Sequence, residues 1–208
     1  DPKRSTSVST AASSMVAGGA SAWPEFLKNT KKHAGSPLTN YMGLRTVVGF
    51  RWETRQKATY DPRSADPFHN FREARKNTFR GAFGQPLFLV LVAAYLALLC
   101  WGVRREMEWW VLAAFGFGVI AVSMELTCYY FSFLTVAAFL WEKRDDIPIG
   151  LLLLASFSHV IEFSTYYFDM RYLLESIAVL AFVVWATWTY GRRPSTVAAA
   201  AAEAEAAP

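Results

Sequence analysis

From Gln85 to Tyr190 the chain alternates long apolar runs with short charged stretches. The runs are Pro86 to Val103, Trp109 to Trp141, Ile147 to Phe168 and Tyr172 to Tyr190. Each meets or exceeds the roughly 18 to 20 residues that a helix needs to span hydrocarbon. The pattern predicts an all-α, polytopic transmembrane helix bundle of about four spans. The second run is too long for one crossing: about 33 residues of helix would reach roughly 50 Å, against a hydrocarbon core of about 30 Å. It must tilt, project or break. One long or kinked helix is expected, with Gly116, Gly118 and Ser123 as bend points; two shorter segments meeting near Glu125 are the other solution.

The polar first third divides by composition. Residues 1–22 are Ser, Ala, Gly and Thr with almost no large apolar side chain, a linker composition that cannot offset its ordering entropy. Lys3-Arg4 ahead of Ala20-Ser21-Ala22 resembles a secretory leader, but the stretch between them is too weakly hydrophobic. Residues 23–84 read as a basic juxtamembrane segment. A short helix starts at Trp23-Pro24 and closes near Gly35, with Lys28, Lys31 and Lys32 on its polar face. A strand is expected over Leu44 to Trp52, and a helix capped by Asp66 runs from Pro67 toward Arg80. On that last helix Arg72 and Arg75 share a side with Phe68, Phe71 and Phe79, so the apolar face is not clean. The bundle proper is 85–191. An Ala-rich tail, 192–208, has helix propensity but nothing to pack against, and is expected to be disordered.

Composition and charge sharpen this picture. The chain is 53% hydrophobic and 16% aromatic with a net charge of +4, and residues 1–84 hold 14 Lys or Arg against 6 Asp or Glu. No nucleic-acid-reading module accompanies the charge, so anionic lipid headgroups at the basic segment are the expected partners, not nucleic acid. Four spans with both termini cytoplasmic would gather Arg72, Arg75, Lys76, Arg80, Lys143, Arg144, Arg192 and Arg193 on one side of an inner or plasma membrane, against Arg104, Arg105 and Arg171 on the other. Trp101, Trp109, Trp110, Trp141, Trp185, Trp188 and Tyr190 lie near run ends, as interface aromatics do. Cys100 and Cys128 fall within the runs, where thiols act as small hydrophobes. The opening Asp1-Pro2 reads as the C-terminal part of a longer polytopic protein, with an upstream domain or other subunits as further partners.

The candidate chemistry lies among the few polar groups of the runs. Met124 to Ser132 aligns without gaps to Ile161 to Asp169, with Glu, Tyr, Tyr and Phe identical in both. Each copy sets a carboxylate four residues before a tyrosine, which on a helix brings them to one face. Because a charged side chain at the bilayer centre costs at least ~2.5 kcal/mol, Glu125 and Glu162 are expected to turn inward. His159 stands three residues before Glu162, giving a stripe of His159, Glu162 and Tyr166, which Glu175 and Ser176 approach from the last span. The leading reading is a polar seam for helix assembly or a lipid-facing site. The same candidates, Glu125, His159, Glu162 and Tyr166, would serve a proton-coupled transporter or a lipid-linked, glycosyltransferase-like group transferase as acids and bases. Glu125, His159 and Glu162 could offer three metal ligands, but no HExxH-like or Cys-rich spacing supports a metal, and no cofactor fingerprint is present.

Overall fold

An apolar helix that is hydrophobic all round must be covered on all sides, by protein or by lipid. Gly84–Val103 is such a helix, with a mean hydropathy of 2.3 over its best window, of which 6% is buried by the rest of the chain. Most of its surface is therefore left uncovered by the rest of the chain. The computed structural model describes residues 23–25, 28 and 39–192. Contacts divide the chain into two units, Asp1–Pro37 and Leu38–Pro208. In the first, Trp23, Pro24, Glu25 and Lys28 are helical. The remainder of the expected Trp23 helix, the 1–22 linker and the tail after Arg192 lie outside the described residues.

In the second unit a two-residue strand β1 (Tyr41–Met42) leads into α1 (Leu44–Val48), a 3-10 turn (Trp52–Thr54), α2 (Gln56–Thr59) and α3 (His69–Arg80). The strand expected over Leu44 to Trp52 is thus helix and turn, and the extended residues lie just upstream. β-branched Thr46 is buried and Val48 packs on the core here, so burial overrides their strand preference. The helix expected from Pro67 begins two residues later, where the Phe68 N–H donates to the Asp66 carboxylate at 3.3 Å. Then come α4 (Gly84–Val103), α5 (Trp109–Ala114), α6 (Gly116–Ser123), β2 (Leu126–Thr127), a second 3-10 helix (Cys128–Glu142), α7 (Asp146–Ser164) and α8 (Phe168–Arg192). The helices α4, α7 and α8 are long and apolar enough to cross a membrane.

The second run is neither one long helix nor a kinked one. It breaks at Met124–Thr127, where β2 pairs antiparallel with β1, Tyr41 opposite Thr127 and Met42 opposite Leu126. An unbroken helix would have held Glu125 midway along an apolar rod; the break delivers it to the end of the bundle. Beyond it Phe131, Leu134, Ala137 and Leu140 are buried, a spacing of three that matches 3-10 and not α geometry. At about 2.0 Å per residue these 15 residues reach about 30 Å, as far as a 20-residue α-helix.

Five apolar segments therefore run alternately up and down. Close contacts fix the directions. A Cβ on Gly102 of α4 would lie 2.9 Å from the Thr187 carbonyl of α8, so these two run parallel, while Gly150 of α7 meets Trp185 and Arg144 reaches the Thr189 carbonyl at 2.5 Å, making α7 antiparallel. Lys143 pairs with Glu108 at one end, and Cys128 approaches Tyr172 at the other. Small residues allow the closest approaches, with Gly118 of α6 against the Tyr95 hydroxyl and Val183. The core is Val111, Phe115, Ala121, Leu140, Ile147, Val183 and Ala186. One end of the bundle holds Glu125, Asp169 and residues 39–83; the opposite end holds Trp109, Glu142 and Arg192. Gly84 and Arg192 lie at opposite ends, whereas an even number of passages would have brought them to the same one.

Candidate functional site

The densest polar cluster sits at the Glu125 end. The side chain of Glu125 is 6% exposed, and its Oε1 accepts from Arg75 at 2.6 Å and from the Thr46 hydroxyl at 3.4 Å. Arg45 stands 3.6 Å from its other oxygen. Arg75 also donates to the Thr46 hydroxyl at 2.9 Å, and the single Thr46 proton is shared between the Tyr41 carbonyl at 3.0 Å and the longer contact to Glu125. Three local choices make this possible. The break in the second run frees Glu125 from a helix, α3 turns Arg75 inward beside Phe71, and α1 presents Arg45 and Thr46 as neighbours. Arg45 lies over the Phe79 ring at 4.3 Å, so its flat guanidinium is stacked as well as paired.

Gly43 closes the joint. Its φ of 121° lies in a region that only glycine adopts readily, and its N–H donates to the fully buried Ser176 hydroxyl at 3.1 Å. A Cβ there would sit 2.5 Å from the Met124 carbonyl. The chain thus crosses itself where Glu125 is delivered.

Electrostatically, burial pulls the Arg75 guanidinium below its ordinary pKa, and Glu125, then Asp169, pull it back up. Burial likewise raises Tyr41, and Glu125 adds to the effect. Asp169, the second residue of α8, is buried and accepts the Gln56 N–H at 2.6 Å. Asp169 Oδ1 and Gln56 Oε1 find no hydrogen-bond partner among the described residues.

The stripe of His159, Glu162 and Tyr166 does not join this cluster. All three side chains are exposed, Tyr166 at 87%. His159 packs edge-on against Phe163 at 4.8 Å, and Glu162 stands 3.7 Å from Arg171 at the bundle's rim. Neither expected carboxylate–tyrosine contact forms, because both depended on a continuous helix. Residues 125–129 pass through the break, and α7 ends at Ser164, two residues short of Tyr166. The tyrosines pack on their neighbours instead, Tyr129 tilted against Tyr130 at 4.5 Å and Tyr166 edge-on to Tyr167 at 5.2 Å. Glu175 does come within electrostatic reach of Glu162 and Arg171, but Ser176 faces Gly43. Among the described residues no three His, Cys, Asp or Glu side chains gather as metal ligands.

The partners that sequence reasoning missed are Arg45, Thr46, Gln56, Arg75 and Asp169. Only Arg75 left a signal: four residues after Phe71, it sits on the apolar side of its helix, where an unpaired cation does not belong. No family model, no curated protein and no solved structure matches this chain.

Proposed function

We propose that the chain is an integral membrane module whose buried charges serve assembly. Its five apolar segments cross the bilayer, with residues 39–83 on one face and Arg192 on the other, and the Arg75–Glu125 pair clamps the basic segment across the mouth of the bundle. The observation that carries this reading is the enclosure of Glu125: a side chain 6% exposed and packed among Arg75, Arg45 and Thr46 presents no free face to a substrate. The group-transferase and transporter readings need Glu125 and Glu162 to share a cavity, and the one is enclosed while the other faces outward.

Exposed side chains support the bilayer setting. Leu89, Val90, Leu152, Leu153, Val160 and Val184 form an apolar wall. Rings of exposed aromatics flank it, Tyr129, Tyr130 and Tyr166 toward the Glu125 end, and Trp109, Trp110, Trp141 and Trp188 toward the other. Glu162, two residues from the end of α7, then lies at the headgroup level and not among acyl chains. On the outer side of residues 39–83, exposed Arg51, Lys57, Arg63 and Arg80 are placed to meet anionic headgroups. Lys and Arg near the segment ends are close to even on the two faces, so charge alone does not orient the module.

The test is thiol labelling of the full chain in vesicles, with Cys100 and Cys128 replaced by Ala and single cysteines introduced as Asn77→Cys or Asp145→Cys. A membrane-impermeant reagent is expected to reach the two positions from opposite sides. Labelling from the same side would overturn the five-crossing reading, and a chain that stays in water without detergent would overturn the membrane reading itself. For the clamp, Glu125→Gln in vesicles is expected to speed tryptic cleavage within residues 45–63 by about tenfold or more while the crossings persist. Unchanged cleavage would remove the clamp.

A further inference from the structure

At the Trp109 end a cavity of about 450 Å³, open to the side, separates α5 from the 3-10 helix, lined by Trp110, Ala113, Ala114, Val136, Phe139 and Glu142. Its size falls within the usual range of small-molecule sites. Helix geometry arranges its walls. In a 3-10 helix residues three apart eclipse, so Val136, Phe139 and Glu142 form one column about 12 Å long, two apolar side chains followed by a carboxylate. Opposite them, Ala113 and Ala114 carry too little bulk to fill the gap, and Trp110 stands at the mouth.

The charges at that mouth are sorted. Glu108 is held by Lys143 and by the Trp110 indole N–H, which donates at 2.6 Å, and Asp146 is held by Arg144. Glu142 is exposed and has no hydrogen-bond or ion-pair partner among the described residues. The slot thus offers an apolar channel opening sideways through the bundle wall, with one unclaimed anionic acceptor at the end nearer water. Its complement is an amphiphile with a hydrocarbon chain and a head bearing cationic N–H donors.

We propose that this groove seats one acyl chain of an aminophospholipid of the phosphatidylethanolamine type, with the headgroup ammonium donating to Glu142. A phosphatidylcholine of the same chains fits the apolar part equally well but has no N–H to give, so the carboxylate discriminates by hydrogen bonding and the slot by shape. The inference rests on the bilayer reading above.

The experiment measures lipid retained by the purified full chain, by native mass spectrometry from mild detergent, with phosphatidylethanolamine and phosphatidylcholine of identical chains. About a tenfold preference for the ethanolamine lipid is expected, the low end of what one hydrogen bond to a charged group provides. Glu142→Gln should abolish the preference while retaining chain binding, and Glu142→Asp should keep most of it. Ala113→Leu, which fills the slot, should release both lipids. Equal retention of the two lipids by the unaltered chain, or a preference that survives Glu142→Gln, overturns the proposal. Should Ala113→Leu fail to fold, the exposed Glu142 variants decide alone. A chain that inserts into vesicles yet shows no preference loses the seat only; a chain that never inserts loses the bilayer reading and the seat together.

Discussion

The chain carries one nine-residue pattern twice, Met124 to Ser132 and Ile161 to Asp169, and the two copies end differently although both occupy the same end of the bundle. In the first, helix α6 stops at Ser123, the backbone pairs with Tyr41 and Met42, and Glu125 turns in to Arg75 and Arg45. In the second, α7 continues past Glu162 to Ser164, and the carboxylate lies outside with Arg171, 59% exposed. The two motifs share Glu, Tyr, Tyr and Phe at four of nine positions; what most differs is what reaches them. Residues 39–83 bring a strand edge and two arginines to the first copy, while at the second they meet Asp169, through the Gln56 N–H, and the Tyr167 ring, under Lys57, and leave Glu162 alone. An acid in a membrane protein takes its role from the partner that arrives, and partners 50 and 79 residues away in sequence decide it here.

The largest expected effect separates the two acids directly. Glu125→Gln leaves Arg75 buried without its counter-charge, and removing one member of a buried pair costs about 3–5 kcal/mol. Glu162→Gln touches an exposed pair and should cost about 0–1 kcal/mol. Unfolding of the full chain in mixed micelles measures both. Equal losses would mean that the copies are equivalent and that the contrast drawn between them is wrong. The pair itself is dispensable where its charge is removed symmetrically: Arg75→Met with Glu125→Met should recover most of the loss, since well-packed apolar side chains commonly replace a buried ion pair at little cost.

A second variant asks whether the strand joint, and not only the arginines, sets the first copy apart. Gly43→Ala forces a side chain into a backbone region reserved for glycine and toward the Met124 carbonyl, at a cost of about 1–3 kcal/mol. The loss should be accompanied by faster amide exchange at Met42 and Leu126, the paired strand residues. Exchange there that stays slow would show that the joint holds without Gly43.

This contrast explains what could be read in the sequence and what could not. The length and apolar character of α4, α7 and α8, and the existence of a helix running to Arg80, are local properties written in hydropathy, and they were legible; the start of that helix reads two residues early, at Pro67 instead of His69. The break near Glu125 was visible as one of two solutions because 33 apolar residues overfill a bilayer, but the choice between them was made by Tyr41 and Met42, which no local pattern connects to it. The strand expected over Leu44 to Trp52 failed for the same reason in reverse: β-branched residues that read as extended become helical when the bundle buries them. The 3-10 winding of Cys128–Glu142 shows in sequence only as apolar residues three apart, a spacing lost among residues that are apolar throughout. Of the candidate site, Glu125 was found and its partners were not. The stripe of His159, Glu162 and Tyr166 presumed that helix α7 extends beyond Ser164.

The smallest effect tests that last presumption. If carboxylate and tyrosine had met on one helical face, removing both phenol hydroxyls would strip a hydrogen bond from each acid and loosen the bundle by about 1 kcal/mol apiece. In this structure Tyr129 and Tyr166 are 64% and 87% exposed, and each packs on the tyrosine that follows it. Ring contact needs no hydroxyl, and the Tyr129–Tyr130 hydroxyl pair lies open to water, so Tyr129→Phe with Tyr166→Phe should change stability by less than about 0.5 kcal/mol, as substitutions at exposed positions do. What the phenols supply is affinity for the water boundary, where an amphipathic ring has one wet and one apolar side. The double variant should therefore leave unfolding unchanged while a cysteine placed beside Tyr129 labels more slowly, the rim having settled deeper into the bilayer. A stability loss near 2 kcal/mol would instead restore the carboxylate–tyrosine seam and make the two copies alike after all.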